Sequence, residues 1–163
     1  MENKKIKEKK HRLDRKEYIG YKRISFTLCI KDRKNLFSNK EILNNFVLIL
    51  QDVLKKHKIK NWIYVFMPDH LHLVLEGLET DSDIYKAVVE FKQKTGIIMH
   101  KFKWQKDFYD HIHREEENIY NSLCYIINNP VRKNLVKKPE DYFGLGSIDF
   151  KIKELIEMIN NNR

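Results

Sequence analysis

The stretch Met-Pro-Asp-His-Leu-His-Leu-Val-Leu-Glu at residues 67–76 constrains this chain more than any other. In a β-strand, successive side chains point to opposite faces. A strand here therefore places its leucines on one face, which a core can bury, and His70 and His72 on the other. The two histidines lie one pleat repeat apart, about 7 Å along the strand. Because two imidazoles on a stiff backbone can bind one divalent cation, the stretch predicts a metal-binding strand.

The rest of the chain predicts strands and helices around this one. Alternating apolar residues predict the other strands, and an apolar period of 3.6 residues predicts helices. The predicted strands are 23–30, 61–67, 70–76 and 108–113, and the predicted helices begin near residues 38, 84, 115 and 148. This order matches an α+β, ferredoxin-like split βαβ fold, with an antiparallel sheet and helices on one face.

Local signals define two helix ends and one turn. Ser38 and Glu41 form a capping box, in which both side chains satisfy free backbone amides at a helix start. The residue before a proline resists helical angles, so Pro130 predicts that the third helix ends at Asn129. The Pro-Asp dipeptide at 68–69 predicts a tight turn, which makes the second and third strands a hairpin.

Composition indicates the kind of partner and compartment. The 163 residues include 32 Lys and Arg against 23 Asp and Glu, which favours a polyanionic partner, nucleic acid before an anionic membrane surface. A solvated basic face is the alternative. We expect residues 1–20 to be a basic, flexible arm and residues 21–163 to be one domain that includes the C-terminal helix. No apolar run approaches the roughly 18 residues of a membrane span, and two distant cysteines predict a cytoplasmic protein. With nucleic acid as its partner, we expect this protein to be nucleoid-associated.

A helix at residues 115–130 presents a tyrosine on its polar side. On a helical wheel Ile119 and Leu123 fall in one sector, whereas Tyr125 lies on a separate polar stripe. Asn129 follows one turn later and can reach the same point in space. An ordinary half-exposed tyrosine is the alternative. A phenol, with a pKa near 10, becomes a useful nucleophile where a cation polarises a phosphodiester. The histidine pair, the phenol and the amide together predict phosphotyrosine chemistry.

These motifs resemble a known family. Residues 65–74, Val-Phe-Met-Pro-Asp-His-Leu-His-Leu-Val, resemble the HUH motif of single-tyrosine DNA transposases, where U is a bulky apolar residue. Residues 125–136, Tyr-Ile-Ile-Asn-Asn-Pro-Val-Arg-Lys-Asn-Leu-Val, resemble the tyrosine helix of the REP-associated tyrosine transposase branch. Residues 26–33 and 104–111 are similar to further family segments, in the expected order.

The resemblance implies a metal-dependent endonuclease that cleaves and rejoins single-stranded DNA, usually at or beside hairpins. His70 and His72 would bind Mg²⁺ or Mn²⁺. Tyr125 would attack the scissile phosphate and keep the 5′-phosphate. Insertion-sequence members have Gln as the third metal ligand. This chain has Asn129 at that position, and the REP-associated branch also has Asn there. Asn129 would therefore bind the metal either directly or through a water molecule. Members act as monomers or as homodimers that exchange the tyrosine helix.

Four alternatives stay open. His111 and His113 form a second His-x-His on a predicted strand, with Arg114 beside them opposing a cation. Tyr109, on the same face, is a rival nucleophile. The chain could also be a catalytically inactive nucleic-acid-binding domain on the same fold, or a metal-dependent hydrolase that uses water. The candidate DNA contacts are Arg23, Lys92, Lys94, Lys103, Trp104, Lys106, His111, Arg132 and Lys133.

Overall fold

The protein, described here from a computed structural model over residues 12–114 and 117–162, is built on one antiparallel sheet. The strand order is β4-β1-β3-β2-β5. The strands are β1 (Arg23–Cys29), β2 (Ile59–Met67), β3 (His70–Gly77), β4 (Tyr109–Ile112) and β5 (Leu145–Gly146). The first four strands have the order of the ferredoxin-like fold. The predicted α+β class is therefore confirmed, and the two-residue β5 is an addition to it.

Helices lie on both faces of the sheet. They are α1 (Lys40–Lys56), α2 (Ile84–Ile98), α3 (Ile119–Ile127), the single turn α4 (Asn129–Arg132) and α5 (Ile152–Asn161). Helices α1 and α2 cover the leucine side of β3, and α3 and α5 cover part of the other side. The expectation of helices on one face was wrong for α3 and α5. The physical reason is that Val65, Met67 and Val74 give that second side its own apolar patch, which must also be buried.

Two predicted helix ends are corrected. The N-cap of α1 is Asn39, not Ser38: its side-chain oxygen accepts hydrogen bonds from the backbone amides of Glu41 (3.0 Å) and Ile42 (3.2 Å). Pro130 does not end the helical structure, because it lies in the first turn of α4. A proline in a first turn removes an amide that has no intrahelical partner, so a new turn can begin there.

The histidine strand β3 lies between β1 and β2 and is held rigidly. Leu71, Leu73 and Leu75 are fully buried against α1 and α2, as predicted. Met67 pairs with His70, so the turn between β2 and β3 has two residues. The backbone carbonyls of that turn accept amide hydrogen bonds from the segment after β1, including one of 2.9 Å from Ile30. This turn therefore fixes the start of β3.

The predicted basic arm is only partly within the described residues. Residues 1–11 lie outside them, but residues 12–20 pack against the domain. Tyr18 is 1% exposed and donates a hydrogen bond to Asp110, and Arg15 pairs with Asp83 at 2.5 Å. Flexibility was therefore a wrong expectation for residues 12–20. Tyr18 is buried there because β1 and α2 offer it apolar neighbours.

Within the described residues, no helix is both long enough and apolar enough to cross a bilayer.

A charge cluster ties the end of α1 to α2. The Glu90 carboxylate contacts Lys56 (3.0 Å), His57 (2.8 Å) and Lys94 (3.0 Å). The hydrogen bond from His57, followed by those of the two lysines, lowers the pKa of Glu90 to about 2. A depressed carboxyl pKa stabilises the fold above its unfolded value near 4.5, and this stabilisation is lost as the pH falls toward 2. We expect Glu90→Gln to lower the free energy of unfolding by about 1 kcal/mol at pH 7.

Urea unfolding of wild type and Glu90→Gln at pH 7 and near pH 2 checks this expectation. The difference between the proteins should shrink at the lower pH. Glu157→Gln, an exposed position on α5, serves as the control and should change little. An equal difference at both pH values would show that the charge cluster does not stabilise the α1–α2 contact.

Candidate active site

His70 and His72 point their Nε2 atoms at each other on the second face of the sheet. The two Nε2 atoms are 3.2 Å apart, and the rings are nearly perpendicular. Both side chains are largely buried. Two nitrogen lone pairs at this separation repel unless a proton or a cation is shared between them. The donor set therefore fits a divalent cation held by two adjacent imidazole ligands.

Each histidine is oriented through its other ring nitrogen. His70 Nδ1 lies 2.6 Å from an Asp69 carboxylate oxygen, and His72 Nδ1 lies 3.0 Å from the Thr27 hydroxyl. Arg33 holds Asp69 in turn, with Nε 2.8 Å from the second carboxylate oxygen. When the Nδ1 atoms carry the protons, both Nε2 lone pairs are free for a metal. Such outer partners fix the tautomer of metal-binding histidines.

The environment keeps both imidazoles neutral. Burial, followed by the neighbouring His70, lowers the pKa of His72 to about 4. Burial is also the main cause of the lowered pKa of His70, against the raising effect of Asp69. The pKa of Asp69 is lowered because the bonds from His70 and Arg33 outweigh its burial. At neutral pH the pair therefore has lone pairs to offer and a carboxylate beside it.

Substituting the orienting groups should weaken metal binding without removing a ligand. We expect Asp69→Asn and Thr27→Val each to lower Mn²⁺ affinity by about 10- to 100-fold, the usual effect of losing such a partner. Isothermal titration of the purified variants with Mn²⁺ measures this. Asp52→Asn, on the exposed side of α1, is the matched control. Unchanged affinity in both variants would show that these bonds do not position the histidines.

Tyr125 lies on α3 where the helical wheel placed it. The apolar side of α3 is buried, including Ile119, Leu123 and Ile126, whereas Tyr125 is 62% exposed. Tyr125 and His72 line one cavity of about 420 Å³, between α3 and the uncovered part of the sheet. The fold therefore brings the tyrosine and the histidine strand, distant in sequence, to the same opening.

The residues after Tyr125 contact its ring and backbone. Asn129 is buried, and its side-chain oxygen is 3.4 Å from the Arg132 guanidinium. That guanidinium also lies 3.5 Å from the centre of the Tyr125 ring and donates a 2.8 Å hydrogen bond to the Tyr125 carbonyl. The positive charge of Arg132 contributes to the lowered pKa of His72. One guanidinium therefore stacks on the phenol ring and also acts electrostatically on His72.

The second His-x-His shares this cavity. Thr27 pairs with His72 on one side and with Tyr109 on the other, so β4 presents the second motif on the same face as the first. Tyr109, His111 and His113 all line the cavity with Tyr125. The geometry alone therefore leaves Tyr109 as a rival nucleophile.

Comparison with known proteins identifies the family. Residues 21–117, more than half of the chain, match the family model described as "Transposase IS200 like". The chain belongs to this family. The matched residues of this transposase-family protein contain both His-x-His motifs and end before Tyr125.

Two relatives extend the similarity toward the C-terminus. The REP-associated tyrosine transposase of Escherichia coli is 26% identical over 132 residues, which cover 78% of each chain. The solved structure of a REP-associated tyrosine transposase bound to a REP hairpin has a TM-score of 0.69 and 23% identity. It covers 82% of this chain and 81% of its own. The predicted resemblance to the REP-associated branch is confirmed, and so is the fold.

The candidate DNA contacts of this transposase-family protein divide into three groups. Arg23, His111, Arg132 and Lys133 lie on the face or edge that carries the histidines, and Lys103 and Lys106 are exposed between α2 and β4. The side chains of Lys92, Lys94 and Trp104 have partners within the chain. Lys92 donates to two backbone carbonyls, Lys94 pairs with Glu90, and Trp104 packs on Phe37 and Phe46 and donates to Thr95. These three placements favour structural roles, because α2 covers the face opposite the histidines.

Sequence analysis missed the residues that orient the histidines. Asp69 was interpreted only as a turn residue, although it adjoins His70. Thr27 and Arg33 carry no local signal, because their contacts depend on the register of β1 against β3. The alternation of β1 does place Thr27 and Ser25 on one face, which is the only trace of this arrangement in the sequence.

Proposed function

We propose that this protein cleaves and rejoins single-stranded DNA, with Tyr125 as nucleophile and Mg²⁺ or Mn²⁺ as cofactor. The observation that carries the proposal is the meeting of His72 and Tyr125 in one cavity, beside two converging imidazoles. Membership of the transposase family supports a reaction on DNA. The basic balance of the sequence supports the same substrate.

His70 and His72 would hold the cation, with Asn129 as third ligand, directly or through water. A cation held there would supply Lewis-acid polarisation of a phosphodiester oxygen, which would make the phosphorus a better electrophile. The chain supplies the rest of the site. Thr27 and Asp69 hold the rings, and burial favours their neutral form.

Tyr125 would attack the scissile phosphorus with its phenolic oxygen. The new bond joins the phenolic oxygen to the phosphorus, and the bond from phosphorus to the 3′ oxygen breaks. The phenol gives up its proton to water, and the departing 3′ oxygen gains one, leaving a 3′-hydroxyl. The resulting 5′-phosphotyrosine keeps the energy of the broken bond for rejoining by a later 3′-hydroxyl. Arg132, which stacks on the phenol, would stabilise negative charge on the phosphate.

The DNA partner would be a single strand next to a hairpin. The solved relative is bound to a REP hairpin. Here the positive charges of Lys133 and Arg132 act on His70 and His72 respectively, and we propose that both side chains contact phosphates. We propose that residues 21–163 act as one domain, in the cytoplasm and in contact with the nucleoid. Because His72 and Tyr125 of the same chain share a cavity, we further propose that one protomer holds a complete site. A homodimer would then not be needed for cleavage.

An adduct assay tests the proposal. The full chain is incubated with an end-labelled single strand that carries a hairpin, with Mn²⁺ or with EDTA, and separated on a denaturing gel. We expect a covalent protein–DNA band with Mn²⁺ only, and none with a fully paired duplex of the same sequence. DNA binding without cleavage or adduct across a panel of hairpin substrates would instead support a catalytically inactive binding domain.

A further inference from the structure

A second group of metal-binding side chains lies on the uncovered side of the sheet. His111 Nε2 is 2.8 Å from a Glu117 carboxylate oxygen, and His113 Nδ1 is 3.7 Å from the same oxygen. One ligand atom from each of the three residues lies within 4.8 Å of the other two. Two imidazoles and a carboxylate in one cluster form a typical ligand set for a first-row transition-metal ion.

As in the first histidine pair, a hydroxyl group from β1 lies next to one histidine of the cluster. The hydroxyl of Ser25 lies 2.6 Å from His113 Nε2, as the hydroxyl of Thr27 lies 3.0 Å from His72 Nδ1. The His113 side chain is only 2% exposed, and Ser25 leaves its Nδ1 directed at Glu117. Burial is the main cause of the lowered pKa of His113. Ser25 therefore orients the His113 ring through the nitrogen that does not face Glu117, as outer hydrogen-bond partners do in protein metal sites.

We propose that His111, His113 and Glu117 bind a transition-metal ion of the Zn²⁺ type at a second site, which is separate from the His70 and His72 site. The ligand types exclude Mg²⁺ as its preferred ion, since Mg²⁺ favours an octahedral set of oxygen ligands. The positive charges facing the cluster are those of Arg23 and Arg114. The negative charge of the Glu117 carboxylate, one of the three proposed ligands, acts against these positive charges.

The two sites cannot share one ion. Strand β1 lies between β3 and β4, so the two histidine motifs are separated by two strand spacings, or about 10 Å. Ions that act together in two-metal sites lie about 4 Å apart. The second ion would therefore have another role than polarising the scissile phosphate.

Its position indicates what that role is. Glu117 directly precedes Asn118, the N-cap of α3, and α3 carries Tyr125. His111 lies in β4, and His113 directly follows the end of that strand. An ion bound by all three would join β4 to the start of the tyrosine helix, at the edge of the cavity that Tyr125 lines. The ion would thereby restrain the tyrosine helix against the sheet.

Metal binding tests the inference without relying on DNA cleavage. The full chain is stripped with EDTA, dialysed, and titrated with Co²⁺ and Zn²⁺ by calorimetry and by visible absorption of bound Co²⁺. The decisive protein is His70→Ala/His72→Ala, because only the second site remains in it. We expect this variant to bind one ion, and to lose it when Glu117→Gln and His111→Ala are added. His100→Asn, on the α2 side of the molecule, is the matched histidine control and should change nothing.

Two further readouts follow from the proposed role. Zn²⁺ should slow amide hydrogen exchange in α3 of the His70→Ala/His72→Ala variant, and Glu117→Gln should remove that effect. If the double variant does not fold, wild type against Glu117→Gln decides instead, with a stoichiometry expected to fall from two ions to one. No ion in the double variant, or one that persists without His111 and Glu117, would overturn the inference. Neither result bears on the proposed cleavage by Tyr125, which is tested separately.

Discussion

Tyr125→Phe is expected to abolish the covalent adduct and to lower strand cleavage by about 10⁴-fold or more, the scale seen when a nucleophile is removed. The substitution deletes one oxygen from a side chain that is 62% exposed, so the fold should be unaffected. Cleavage is measured with a labelled hairpin substrate and Mn²⁺, and circular dichroism checks the fold.

Tyr120→Phe is the matched control for this prediction. Tyr120 is on the same helix, but it packs on Trp62 with the apolar cluster, so its variant should retain cleavage. Tyr109→Phe tests the rival, because Tyr109 lines the same cavity. Cleavage that survives Tyr125→Phe and disappears in Tyr109→Phe would reassign the nucleophile to β4.

His72→Ala is expected to lower Mn²⁺ affinity at the first site by more than about 100-fold, because it removes a ligand rather than an orienting partner. Strand cleavage at a fixed, limiting Mn²⁺ concentration should fall by at least the same factor. In this variant His70 Nε2 loses its neighbour His72 Nε2, which lies 3.2 Å away in the wild type. Cleavage rates against Mn²⁺ concentration provide the measurement.

The control for this variant is again His100→Asn, which should cleave as wild type does. His111→Ala separates the two histidine motifs. Cleavage that survives His72→Ala and is lost in His111→Ala would place the catalytic ion at β4 instead of β3. Loss in both variants fits a second ion that restrains the tyrosine helix, with the Mn²⁺ dependence altered mainly by His72→Ala.

The sequence predicted much of the fold because its patterns are local. The leucine alternation of β3, the two-residue turn before it and the apolar side of α3 each depend on residues within a few positions. Tyr125 was likewise predicted on a polar stripe, since a helical wheel needs only the spacing of 3.6 residues. The family resemblance of the motifs added the expected chemistry.

The parts that could not be predicted depend on contacts between distant residues. That Thr27 would face His72 follows from the register of β1 and β3, which no single strand determines. That α3 would cover the second face follows from the apolar patch around Val74, which is visible only when β2 and β3 are side by side. Lys92 was predicted to contact phosphate because its positive charge is evident from the sequence. Its hydrogen bond to a backbone carbonyl is evident only in the folded structure.

Mass spectrometry of the trapped adduct tests the central claim most directly. The protein is incubated with a hairpin-bearing single strand and Mn²⁺, digested with a protease and a nuclease, and the modified peptide is sequenced. We expect a nucleotide attached through its 5′-phosphate to Tyr125. Attachment at Tyr109, or cleaved DNA with no attached residue, would contradict it.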